Sequence, residues 1–150
     1  MKRSIHQFIS FILIACILCT TVIPAFADND NNDTITPRAS LYIASVKAYV
    51  EAGSTTGSLN IRFNITGNGK MTSLGAMKIQ VYDANGTCVK TFNYYDTSGM
   101  MGSNQFAYAS YVTYTGAKSG AYYHAVVKFK ASNSTGGDSC IFTTKSAAAK

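Results

Sequence analysis

The chain has no tryptophan, and side chains suited to acid, base or metal chemistry are scarce. Past residue 37 there is one histidine, His124, one glutamate, Glu51, and three aspartates, Asp83, Asp96 and Asp138. A hydrolytic triad needs a histidine beside a nucleophile and a carboxylate. His124 falls at an outward position of an alternating run, beside lysines, and reads as an exposed strand residue. A glycosidase needs two carboxyls flanking a cleft. The three aspartates fall in turns, where the side chain is favoured for its bonds to nearby backbone. No group of His, Cys, Asp and Glu has metal-site spacing, and "GNGK" lacks the strand-loop-helix setting of a phosphate loop. The expected protein is not an enzyme and carries no cofactor and no metal.

Basic runs are missing too. Lys47, Lys70, Lys78, Lys90, Lys118, Lys128 and Lys130 are scattered, so nucleic acid is not an expected partner. No window keeps the 3.6-residue period of an amphipathic helix, which removes a membrane-inserting helix from consideration.

What is present begins with "MKRSIHQFISFILIACILCTTVIPAFA". Lys2 and Arg3 form a basic start, Phe8 to Leu18 an apolar stretch, and Ala25-Phe26-Ala27 an A-x-A site. This is the layout of a secretory signal peptide, residues 1–27, cleaved after Ala27 to give an extracellular product. The apolar run is short for a bilayer span of about 20 residues. Lipoprotein processing at Cys16 would leave an apolar mature terminus, so it ranks below cleavage after Ala27. Loss of Lys2 and Arg3 lowers the formal net charge from +6 to +4. Residues 28–37, "DNDNNDTITP", are acidic and Asn-rich and are expected to be a disordered leader. Residues 38–145 form the expected domain and 146–150 a short tail.

Within the domain the dominant period is two. Leu59, Ile61, Phe63 and Ile65 alternate with Asn60, Arg62, Asn64 and Thr66, the signature of a strand with one buried face. Met77, Ile79 and Val81 alternate with Lys78, Gln80 and Tyr82, and Tyr123, Ala125, Val127 and Phe129 alternate with His124, Val126, Lys128 and Lys130. Phe106, Tyr108, Val112 and Tyr114 share a parity that Ser110 breaks. In the first run Leu41 and Ile43 have one parity and Val46, Ala48 and Val50 the other, so a bulge near Ala44-Ser45 is needed for both sets to face the core. "ANGT" predicts a two-residue type I′ turn at Asn85-Gly86, which sets Met77 opposite Tyr94, Ile79 opposite Phe92 and Val81 opposite Lys90.

Seven strands follow, at about 40–51, 58–66, 75–83, 87–95, 105–114, 121–131 and 139–144, with turn sequences between them. The expected fold is all-β: a single antiparallel sandwich, immunoglobulin- or fibronectin-like, with a jelly roll as the alternative. Tyr123, two residues before the small Ala125 and after a glycine turn, fits a tyrosine corner; two aromatics on a strand would give the same pattern.

Cys88 and Cys140 make an even count in an exported domain, which favours a disulfide. The alternative is two free thiols, because the fourth and seventh strands of an immunoglobulin-like order are not neighbours.

The elements "PRAS", "GNGKM", "LGAMKIQVY", "VKTF", "GMMGSN", "YVTYTG" and "YYHAVVKFKA" together resemble a family of small secreted proteins of unknown function from Gram-positive, often gut-dwelling, bacteria. The resemblance spans nearly all of residues 38–144. It implies secretion and an all-β domain, supplies no catalytic residues, and does not include Cys88 and Cys140.

Tyrosine is the one excess: all ten lie beyond the signal peptide. Tyr82, Tyr95, Tyr111 and Tyr122 have parities opposed to the core and are candidates for a binding surface; ordinary strand preference is the rival account. In "SGMMGSN", Met100 and Met101 either seal the core or meet a partner. Sealing is the expected role, with at least one of the two buried. The expected function is a secreted, non-catalytic module that binds at the cell envelope or on an extracellular polymer, its partner a cell-wall or other extracellular glycan or protein. A secreted antimicrobial or toxin-like protein is the alternative, and an unrecognised enzyme the third reading.

Overall fold

Alternating apolar residues bury one face of each strand, and two such faces closing on each other make the core. The computed structural model describes residues 34–35 and 40–150. The expected signal peptide, its expected cleavage site and most of the acidic leader lie outside the described residues.

Among the described residues, ten strands run in chain order: β1 Thr34–Ile35, β2 Ile43–Ala52, β3 Leu59–Met71, β4 Ser73–Asp83, β5 Cys88–Asn93, β6 Met101–Gly102, β7 Gln105–Tyr114, β8 Tyr122–Asn133, β9 Gly136–Thr143 and β10 Ala147–Ala148. The seven long ones fall on the seven predicted segments. They form two antiparallel sheets. The first has the order β1-β2-β3-β7. In the second, β9 and β10 lie along one edge of β8, β4 follows, and β5 and β6 lie along the far edge of β4. The first, second and fifth long strands thus face the other four, the fibronectin-like form of the expected sandwich.

The core takes in most of the predicted parity set, including Leu59, Ile61, Phe63, Ile65, Ile79, Val81, Val127 and Phe129. Ser110 breaks the pattern of β7 because it sits opposite Phe63. The small side chain leaves room for the Phe63 ring, which meets Phe129 edge-on at 6.2 Å and Tyr108 at 6.3 Å. The bulge foreseen in β2 lies between Ile43 and Ser45, and both Ile43 and Val46 are buried. The tyrosine corner is formed as well: the Tyr123 hydroxyl accepts a bond from the Lys118 N–H at 2.9 Å.

Met100 is 0% exposed and belongs to the core. Its carbonyl accepts from the Ala76 N–H at 2.8 Å, and Met101, half-buried, pairs with Gly75 as part of β6. The β5–β7 link therefore crosses between sheets and seals the sandwich on its way.

Several expectations are corrected. The hairpin tip is a type I turn over Ala84 and Asn85 followed by Gly86 at φ 78°, not type I′. Gly86 N–H donates to the Asp83 carbonyl at 3.1 Å, and the Asp83 carboxylate accepts from the Asn85 and Thr87 N–H groups, each at 2.9 Å. Aspartate at the first turn position favours type I. A bulge between Val81 and Tyr82 absorbs the extra loop residue. Ile79 therefore still pairs with Phe92 and Val81 with Lys90, and Tyr94 N–H still donates to Met77 O at 3.2 Å.

Met77 itself is only half-buried, because a second bulge between Ala76 and Lys78 passes the inward positions to Leu74 and Ala76. Leu41, expected inward, is 78% exposed. The Ser40 hydroxyl accepts from Ile43 N–H at 2.8 Å, and this local turn throws Leu41 outward. Phe106 is 63% exposed, because β3 leaves the β7 register between Thr66 and Met71.

Thr34–Ile35, expected within a disordered leader, pair with Lys47 and Val46 on the edge of β2. Residues 146–150, read as a tail, are held in place: β10 pairs with Tyr122 and Tyr123, and the Lys150 carbonyl accepts from Gly57 N–H at 2.7 Å.

The expected disulfide is absent. Cys88 and Cys140 are both free. They lie on β5 and β9, opposite edges of one sheet with β4 and β8 between, at least roughly 14 Å apart from the three strand spacings alone and offset further along the strands, whereas a disulfide needs Cα atoms within about 7 Å. Burial raises the Cys140 thiol pKa.

Candidate binding surface

The outward residues of β2, β3 and β7 form rows across the first sheet. The central row is Tyr49, Arg62 and Tyr111, consecutive cross-strand partners. Three facts place them there. The β2 bulge gives Tyr49 the outward parity, Arg62 alternates with buried Ile61 and Phe63, and Tyr111 precedes buried Val112.

Arg62 is fixed from two sides. Its Nε donates to Glu51 Oε1, and its guanidinium lies 5.1 Å from the centre of the Tyr111 ring. The hydrogen bond to Glu51, reinforced by its charge, raises the arginine pKa further above the ordinary value. Beside this row is a concavity of about 330 Å³ lined by Lys47, Tyr49, Arg62, Asn64, Ala109 and Ser110, among others. The small outward side chain of Ala109 on β7 leaves the hollow open, and Lys47, Arg62 and Asn64 present N–H donors at its rim. Thr113 donates to Asn60 Oδ1 at 2.8 Å in the next row, which orders that edge of the face.

Of the tyrosines singled out from sequence, only Tyr111 belongs to this face. Tyr82 lies on the outer side of the second sheet, stacked on His124 at 5.4 Å with the rings 13° from parallel. Tyr122 is exposed at the start of β8. Tyr95 projects from the β5–β6 link, edge-on to Tyr94 at 5.6 Å. These residues do not form one platform. Met100 is excluded from any surface by its burial, and Met101 is engaged in β6.

Tyr49, Arg62, Lys47 and Asn64 were not foreseen as a site. Their outward parity was readable, but their convergence needs the β2–β3–β7 pairing, which links residues up to about 60 positions apart. Among the described residues, no three of His, Cys, Asp and Glu come together as a metal site would require. His124 packs against Tyr82.

No family model matches the chain, and no curated protein matches it. Among solved structures, the apo structure of Bacteroides uniformis beta-glucuronidase 3 is similar at a TM-score of 0.37 and 11% identity, over 69% of this chain and 12% of that one. The chain thus spans about an eighth of that protein's length.

Proposed function

We propose that the protein is a secreted, non-catalytic binding module that engages a glycan of the cell envelope or an extracellular polymer through the outer face of its first sheet. The observation that carries this reading is the Tyr49–Arg62–Tyr111 row beside the hollow over Ala109 and Ser110. A sugar ring has apolar C–H faces and a rim of hydroxyls. Tyrosine rings suit the first, being apolar with a polar tip. Arg62, Lys47 and Asn64 suit the second, and Arg62 is already pinned by Glu51, so little side-chain freedom is lost on binding. The single carboxylate among the described residues of this face, Glu51, is bound to that arginine, which leaves no pair of carboxyls for glycoside hydrolysis.

The test is retention of the purified protein on isolated cell walls and insoluble glycans, with the polymer and live target cells assayed alongside. Retention that falls at least about fivefold in Tyr111→Ala or Tyr49→Ala, with polymer and cells unharmed, is the expected result; truncating a hot-spot aromatic costs more than about 1 kcal/mol. Release of sugars would make the protein an enzyme, and killing would make it a toxin.

A further inference from the structure

β7 is an edge of the first sheet, and it carries none of the side chains that usually keep edges apart. Unpaired N–H and C=O groups on an edge are a template for another strand, so natural edges are blunted by charge, proline or a covering segment. On the opposite side of this sheet β1 caps part of β2, which carries Lys47 and Glu51. In the second sheet β5 has six residues and includes Lys90, while β9 opens on two glycines and includes Asp138. β7 runs for ten residues without a charge, a proline or a glycine, and among the described residues only β3 pairs with it.

The groups on its open side can be assigned. At the β2–β3 turn Ser58 O accepts from Gly53 N–H at 2.9 Å. By alternation, the even residues of β3 then bond to β2 and the odd ones to β7. The partners of those odd residues are Tyr108, Ser110, Val112 and Tyr114, whose amides are taken up by β3. Ala107, Ala109, Tyr111 and Thr113 therefore point N–H and C=O away from the sheet. The hollow over Ala109 is open on this same side, since its lining residues all belong to β2, β3 and β7.

We infer that β7 pairs antiparallel with β7 of a second copy, about a two-fold axis at Ser110, and that each copy's Tyr111 closes the hollow of the other. A two-fold pairing sets the same strand against itself, and with no charge on β7 it opposes no like charges. The register centred on Ser110 places Tyr111 against the partner's Ala109 and Thr113 against the partner's Ala107, each larger outward side chain beside an alanine. It also gives Phe106, 63% exposed, the partner's Tyr114 as a neighbour. One face of the Tyr111 ring is taken by Arg62, so the other is left for the hollow across the seam. Ala107, Ala109, Tyr111 and Thr113 form about eight interchain hydrogen bonds in this register, within the usual number for a specific interface. The pairing uses both open edges and so stops at a dimer. A seam one strand wide buries less than the roughly 1,200 Å² of standard interfaces, so the dimer is weak and depends on concentration. The pairing stands apart from the sugar-binding reading; only the role of the shared wall rests on that reading.

The experiment is sedimentation of the purified protein from low micromolar to near-millimolar concentration, with no sugar present, so that its failure is distinct from failure of the sugar-binding reading. Wild type is expected to pass from monomer to dimer. Ala107→Pro removes an N–H that points away from β3, a position where an edge strand tolerates proline. It should raise the dimer dissociation constant at least about tenfold, with the urea midpoint of the monomer little changed. A cross-link reads the register without relying on that variant. In a background with Cys88→Ser and Cys140→Ser, Ser110→Cys sets two thiols on the axis, at a non-hydrogen-bonded pair with Cα atoms about 4.5 Å apart, within disulfide range. Thr113→Cys lies about 20 Å from its own copy. Air oxidation should link the first as a covalent dimer and leave the second as monomer. Wild type that stays monomeric throughout, a dimer that Ala107→Pro does not weaken, or equal cross-linking at the two positions would overturn the inference. Dimerisation lost only on trimming the chain before residue 40 would assign the contact to the leader and overturn it as well.

Discussion

Met100→Ala is expected to destabilise the protein by about 2–5 kcal/mol, the range for truncating a buried large side chain. Met101→Ala, at a half-buried position, should fall well below that range; chemical denaturation of the two variants checks both. The contrast follows from adjacent residues pointing opposite ways, and it was legible in the sequence because two flexible apolar residues in a glycine-rich link needed a reason. Gly75 was not legible. A Cβ there would lie 2.2 Å from the Met100 carbonyl oxygen, which is backbone and cannot yield cheaply. Gly75→Ala is therefore expected to lower stability by about 1–3 kcal/mol as an overpacked site. At Gly86 a Cβ would meet open space, and only the φ of 78° opposes a side chain, so Gly86→Ala should cost about 1 kcal/mol. Two glycines thus resist substitution for different reasons, one steric and one conformational.

At the scale of elements, the sandwich is tied at its corners by single side chains. Tyr123 bonds the link before β8, and Asp138 on β9 holds the entry to β2 through Ser40 and two backbone amides. Hydrogen bonding from Ser40 is the main reason the Asp138 pKa lies below its ordinary value, with Tyr42 and Leu41 N–H adding to it. A carboxyl depressed on folding stabilises the native state above its unfolded pKa and loses that contribution as pH falls through the folded value. Wild type should therefore lose stability as pH drops below roughly 4, and Asp138→Asn should be less stable at neutral pH with a weaker dependence in that acid window, by urea midpoints measured across pH. Alternation located all seven long strands, because burying one face enforces a period of two. The bulges at Met77 and in the β5 hairpin were missed, since a bulge is decided by the partner strand and not by the local pattern. The type of the Asn85-Gly86 turn was misread because Asp83, at the turn's first position, outweighed the Asn-Gly preference.

Over the whole molecule, the order of the second sheet decides the cysteines. With β4 and β8 between them, Cys88 and Cys140 stay apart, so intact native protein should take up alkylating reagent at exposed Cys88 readily. Cys140 should react more slowly, since burial raises its pKa and withholds the thiolate. A non-reducing mass two hydrogens lower would contradict this topology. The same arrangement divides the surface into two outer faces of different chemistry: one with tyrosines around a neutralised arginine, the other with Lys78, Lys128 and Lys130. Neither was assembled from sequence alone, because each depends on pairings between distant strands, whereas the individual outward residues were visible. The most direct measurement of the central claim is a backbone-amide NMR titration with a soluble fragment of the polymer the protein retains, in salt high enough to screen the lysines of the other face. The account predicts shifts concentrated at residues 47–51, 60–64 and 109–113, on the face of β2, β3 and β7. Shifts confined to the loops at either end of the sandwich, with that face unperturbed, would contradict it.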